Sequence, residues 1–140
     1  VSATPDPIRA AIGGLLSGDE ALCALATGGV HHGMAPQTAD YPFVVFHRQS
    51  GVPVWSMRDF WRNQVWTVKG VCRGGDAAPA EAIDARCEEL LNDATMDIEG
   101  ARLMYLRRES DIPPLPASAD NGGIVFQVGG MYRIHAEPTP

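Results

Sequence analysis

Apolar positions along the chain fall into helical and strand-like runs separated by turn residues. Ile8, Ala11, Ile12, Leu15 and Leu16 recur at helical spacing behind Thr4-Pro5, an N-cap residue followed by proline at the first helical position, and Gly18 stops the run. Asp19 is placed to cap one or two further turns over Asp19 to Ala26, with Leu22 and Leu25 facing inward and Gly28-Gly29 as terminator. Tyr41 to Gln49 then reads as a strand of β-branched and aromatic residues, and Gln64 to Arg73 as a second. Between Asp76 and Thr95 helical spacing returns. Asp76 caps, Pro79 opens, and Ile83, Cys87, Leu90, Leu91 and Ala94 line one face, with Glu81, Asp84, Glu88 and Asp93 elsewhere. Arg102 to Glu109 alternates as a strand with both faces partly covered, Leu103, Tyr105 and Arg107 on one and Arg102, Met104 and Leu106 on the other. A last strand carries Ile124, Phe126, Val128, Tyr132 and Ile134, with Gly129-Gly130 as a bulge.

Two connections stand out. Residues 51–63 are too long for a tight hairpin turn and carry Trp55, Met57, Phe60 and Trp61 interleaved with Arg58 and Arg62, an apolar load that a surface connection does not ordinarily bear. One reading folds these side chains over their own core; the sharper one makes this projecting arm a candidate interface with a neighbouring subunit or another assembly partner, because Trp, Met, Phe and Arg are enriched at contact cores. Burying several hundred Å² of it is worth several kcal/mol at about 25 cal/mol per Å² before binding costs. Residues 111–123, with Pro113, Pro114 and Pro116, read as an exposed loop, and Asp111, Leu115 and Asp120 are its candidate contact residues. The order of elements predicts a single α+β domain over 1–140: an antiparallel sheet of four to five strands with two main helices on one face.

Composition narrows the possibilities. At 140 residues the chain suits one core, and no apolar run approaches the roughly 18 residues of a membrane span, so a soluble, unsecreted chain is expected. Eleven basic against 17 acidic residues, with Lys69 the only lysine, argue against a phosphate-gripping surface. Cys23, Cys72 and Cys87 are odd in number and widely spaced, which suits buried thiols better than a disulfide framework or a metal cluster.

Chemistry is hard to find. His31 and His32 point to opposite faces of any strand, and no carboxylate or cysteine stands at ligand spacing beside them, so no metal is expected. No serine sits in a G-x-S-x-G turn, no cysteine has a C-x-x-C setting, and the glycine pairs complete no phosphate-binding loop. No catalytic residue and no cofactor are expected. One alternative of another class is a small-molecule enzyme or binding module with His47, His135 and Tyr132 lining a pocket beside the last strand.

The phrases Gly29-Val30, Met34-Ala35-Pro36 and Tyr41-Pro42-Phe43-Val44-Val45-Phe46, together with Ala21 to Leu25, Ala85 to Leu91 and Gly130-Met131-Tyr132-Arg133-Ile134, carry a resemblance over nearly the whole chain. In them the chain resembles the tail terminator family of long-tailed bacteriophages, also described as minor tail or tail completion proteins. The resemblance implies a structural virion protein of the tail or neck, assembled in the host cytoplasm, with no membrane partner. It further implies a homohexameric ring at the head-proximal end of the tail tube that stops tube polymerisation and joins the tail to head-completion proteins. DNA would pass through such a ring without specific binding. A neighbouring head-tail connector is the near alternative. The aromatic arm and the proline-rich stretch depart from the family pattern.

Overall fold

A computed structural model of the protein describes residues 7–36, 38–55, 60–118 and 123–138, with the side chains of all but 50–55, 60–62, 117, 118 and 138. The chain runs α1 (Pro7–Ser17), α2 (Glu20–Leu25), β1 (Val30–His32), β2 (Phe43–Trp55), β3 (Phe60–Arg73), α3 (Ala78–Leu91), β4 (Ala101–Ser118) and β5 (Ile124–Pro138). The strands form one sheet in the order β1-β2-β3-β5-β4. Every pairing is antiparallel except that of β1 with β2, so the α+β architecture is as expected and the sheet is mixed at one edge. At three residues, β1 is too short for an alternating pattern to reveal it.

Local sequence explains most helix boundaries. The expected start at Thr4-Pro5 lies outside the described residues, and α1 buries Ile8, Ile12 and Leu16 as the spacing requires. Asp19 caps α2 by accepting a hydrogen bond from the Leu22 amide at 2.8 Å. Leu25, expected inside, is 40% exposed, because Ala26, one turn beyond Leu22, takes the inward position. Asp76 accepts from the Ala78 amide at 2.8 Å, although the helix-start position proper is Ala77. The helix α3 ends at Leu91, short of Thr95, where Asn92 turns extended and Asp93 adopts a left-handed φ of 58°.

Both expected connections are instead strand. The two arms of a hairpin, β2 and β3, run through to a Trp55↔Phe60 pairing, so most of 51–63 belongs to the sheet and only residues 56–59 lie outside the described part. A register shift between Arg48 and Ser50 absorbs one residue and hides the alternation that would have marked β2 as a long strand. The expected loop at 111–123 is likewise strand as far as Ser118, paired with β5 from Ser118↔Ile124. Its prolines are tolerated because β4 is an edge strand whose outward backbone groups need no partner, and Pro113-Pro114 fall in the irregularity between Ile112 and Leu115. Another shift, between Leu103 and Tyr105, sends Leu106 fully inside and packs Leu103 against the same core, where simple alternation had set them on opposite faces.

The bulge expected at Gly129-Gly130 is absent, since β5 keeps an unbroken register with β3 there. These glycines serve close approach instead. A Cβ on Gly129 would lie 2.3 Å from the Val68 carbonyl oxygen, and one on Gly130 would lie 2.6 Å from the Arg108 guanidinium carbon.

Helices cover one sheet face. Ile8, Ile12, Leu16, Leu22, Ile83, Cys87 and Leu91 meet Val44, Phe46, Trp66, Val68, Leu106, Tyr132 and Ile134 in one core. On β3, Gly70 lets α3 approach: a Cβ there would fall 2.8 Å from Ile83 Cγ2 and 3.0 Å from the Ala80 carbonyl oxygen. Gly70→Ala is therefore expected to destabilise the fold by about 1–3 kcal/mol through overpacking. Adding Ile83→Ala, which removes the Cγ2 nearest the new methyl, should cost less than the two single losses added together. Urea unfolding of the single and double variants checks both.

Candidate interaction surfaces

Arg108 is the most connected side chain on the helix-covered side. Its side chain is 10% exposed. The guanidinium grips Asp84 of α3 through both nitrogens at 2.8 and 3.0 Å, and its Nε donates to Asp111 at 2.7 Å. It also donates to the Gly129 carbonyl at 3.0 Å and the Tyr132 hydroxyl at 3.2 Å. One side chain thus ties α3, β4 and β5 together. Burial raises the Tyr132 hydroxyl pKa despite the facing Arg108, and burial pushes the Cys87 thiol up to about 12. Neither is poised for acid-base or nucleophilic work at neutral pH.

A second ion pair joins α2 to α3, Arg86 donating to both Asp19 carboxylate oxygens at 2.8 and 2.9 Å. The Arg86 hydrogen bond, helped by the Leu22 amide, holds the Asp19 carboxyl down at about 2.

Among the described residues no helix covers the opposite sheet face. At one end, Ala35 and Ala39 of the loop before β2 cover Phe43, Val45, Val71 and Val125. Elsewhere cross-strand polar pairs fill it. Lys69 donates to Gln127 at 3.0 Å, and Arg133 donates to Asn63 at 2.7 Å and to both oxygens of Glu109 at 2.9 and 3.1 Å. The Tyr105 and His135 rings lie 5.5 Å apart. Tyr132 points the other way, into the core, so His47, His135 and Tyr132 do not line one pocket. Among the described residues no three His, Cys, Asp or Glu side chains group to hold a metal.

The arm residues Trp55, Phe60, Trp61 and Arg62 lie on the two strands of the β2–β3 hairpin, while Met57 and Arg58 fall outside the described residues. On β4, Asp111 keeps an 80% exposed side chain while holding Arg108, and Leu115 is 53% exposed; Asp120 falls outside the described residues. The hairpins β2–β3 and β4–β5 turn at opposite ends of the sheet, since Arg62 of β3 pairs with Ala136 and Arg73 with Val125. Sequence reading missed a groove of about 540 Å³ between residues 93–98 and β4, lined by Met96, Ile98, Leu103 and Met104 with Asp93 and Asp97. Its one sequence signal is the pair Met96 and Met104, flexible thioethers that suit an adaptable surface.

Such a domain offers surfaces, which is the profile of a structural, assembly-forming protein. The family model of tail completion protein gp17 matches residues 10–111, and the chain belongs to that family, as a structural component of the virion tail. Among solved structures, the chain is similar to one from the virion of a native gene transfer agent (GTA) particle. The two are 16% identical with a TM-score of 0.77, over 93% of this chain and 94% of that one. A second solved chain is 18% identical with a TM-score of 0.52, over 95% and 96%. No curated protein matches the sequence.

Two outcomes follow from the ion pairs. Asp84→Ala leaves the Arg108 guanidinium without its two-pronged partner, and denaturant unfolding should show a loss of about 3 kcal/mol. Asp19 has a folded pKa below its unfolded value, so its contribution is complete above about pH 4 and is lost as pH falls towards 2. Asn can still cap α2 but cannot pair with Arg86 as an anion. The melting temperature of the wild type should exceed that of Asp19→Asn at pH 5, and the gap should close between pH 4 and 2.

Proposed function

We propose that copies of this chain, six by family resemblance, form a closed head-to-tail ring at the head-proximal end of the tail tube. The ring stops tube growth and presents its other face to head-completion proteins. The observation that carries this reading is the β2–β3 hairpin. It continues past the three-residue β1, which pairs only with Val44 to Phe46, and it carries Trp55, Phe60 and Trp61. Membership of the tail completion family supports the same reading. Surfaces that contact a neighbour through opposite sides of each subunit close into rings when the rotation allows.

Charge bears on DNA passage. Six copies at −6 each total −36, and on the uncovered sheet face Arg102 and Arg133 are engaged by Glu137 and Glu109, so a lumen built from this chain favours repulsion of phosphate over a grip on it. Duplex DNA is expected to show no measurable affinity for the purified protein at physiological salt, checked by fluorescence anisotropy.

The test of assembly is the triple substitution Trp55→Ser, Phe60→Ser and Trp61→Ser. Helix and sheet signals in circular dichroism and the unfolding midpoint should stay nearly unchanged, while rings disappear from electron micrographs and tube capping is lost. A triple variant that fails to fold would make these residues core of their own domain, and one that still assembles would remove the hairpin from the interface.

A further inference from the structure

We propose that the groove beside β4 seats the β2–β3 hairpin of a second copy of this chain, an inference that rests on the head-to-tail ring proposed above. Register supplies the main argument. Following the pairings across the sheet, Arg107 of β4 stands level with Arg133, Val65 and Ser50, and Leu103 stands level with Ala136, Arg62 and Pro53. The groove along Leu103 to Arg107 therefore lies at the same height as the hairpin along Ser50 to Pro53, on the opposite edge of the sheet. A second copy set beside the first by rotation about an axis along the strands brings its hairpin to this groove without any shift in height.

Strand direction agrees. The strands β2, β3, β5 and β4 alternate in direction, so β4 of one copy beside β2 of the next continues the alternation. The β2 edge stands open at this height, and among the described residues the β4 edge keeps an open stretch between Ala101 and Leu106. Beyond Phe46, β2 has no strand partner on its outer side among the described residues. The β4 edge is closed by the preceding loop at Leu106 and Arg108, where the Asp93 amide donates to the Leu106 carbonyl and the Arg108 amide to Asn92. Between that closure and the bridge of Ile98 to Ala101, the groove exposes Met104 at 43%. Chemistry is complementary as well. Methionines accommodate aromatic rings of varied shape, and exposed Asp97 at the groove faces a hairpin that brings Arg62.

The test uses two full-length variants, each blocked on one side. Met104→Glu charges the groove, and its exposed place at a strand irregularity spares the fold; the triple serine variant strips the hairpin. By sedimentation velocity each should be monomeric alone where the wild type forms rings, and a mixture should give one-to-one dimers that grow no further. Full rings from Met104→Glu, or no dimers from two folded variants, would overturn the groove while leaving the ring reading intact. A wild type that stays monomeric even beside its tube protein would overturn the ring reading and this inference with it. As a second measurement, Met104→Cys and Pro53→Cys, which the register sets at one height, each with Cys23→Ser, should give a disulfide-linked pair when mixed under oxidation. Its absence, in protein that forms rings, also overturns the groove.

Discussion

Everything else in the fold hangs on how closely α3 lies on β3. Gly70 removes the one side chain that would hold the two apart, and Ile83 and Ala80, both fully buried, take up the space. At this spacing Cys87 and Leu91 reach Trp66, Leu106 and Tyr132 in a single core. Interiors are packed as densely as organic crystals, so a displacement of α3 would be felt along the whole stripe. Arg108 fixes the helix from the sheet side. Its bond to Asp84 replaces the water both ions lost on burial, and Gly129 and Gly130 are bare because the arginine and β3 already fill the space their side chains would need.

Committing one sheet face to the helices leaves the other to be satisfied by its own side chains. It does so with cross-strand pairs, Lys69 with Gln127 and Arg133 with Asn63 and Glu109, which keep the face wettable without a covering layer. The edges are managed differently. Three prolines remove backbone donors from the far end of β4, and Asn92 and Asp93 close its middle. A sheet guarded in this way resists indiscriminate strand addition, and among the described residues it leaves open the stretch near Met104 and the outer side of β2 beyond Phe46. That restriction suits a subunit of a closed assembly better than one of an open fibre.

Much of this was legible in the order of residues. The helical spacing of Ile8 to Leu16 and of Ile83 to Leu91, the Asp19 cap, and the strands centred on Val44, Val68 and Ile134 follow from local periodicity and capping chemistry, which neighbours along the chain decide. The aromatic load between 51 and 63 was visible too, as was the family resemblance that the match over residues 10–111 supports. What only the tertiary structure decided was pairing. Residues 51–55 and 111–118 lack a clean alternation, because irregularities at Arg48–Ser50 and Ile112–Leu115 shift their faces, and prolines in them forbid a central strand while permitting an edge one. Whether such a segment is loop or strand depends on which neighbour offers it hydrogen bonds, and β3 and β5 come to hand only after the chain has folded back. The groove at Met96 and Met104 and the buried Arg108–Asp84 pair likewise join residues 8 and 24 positions apart, beyond the reach of any local pattern.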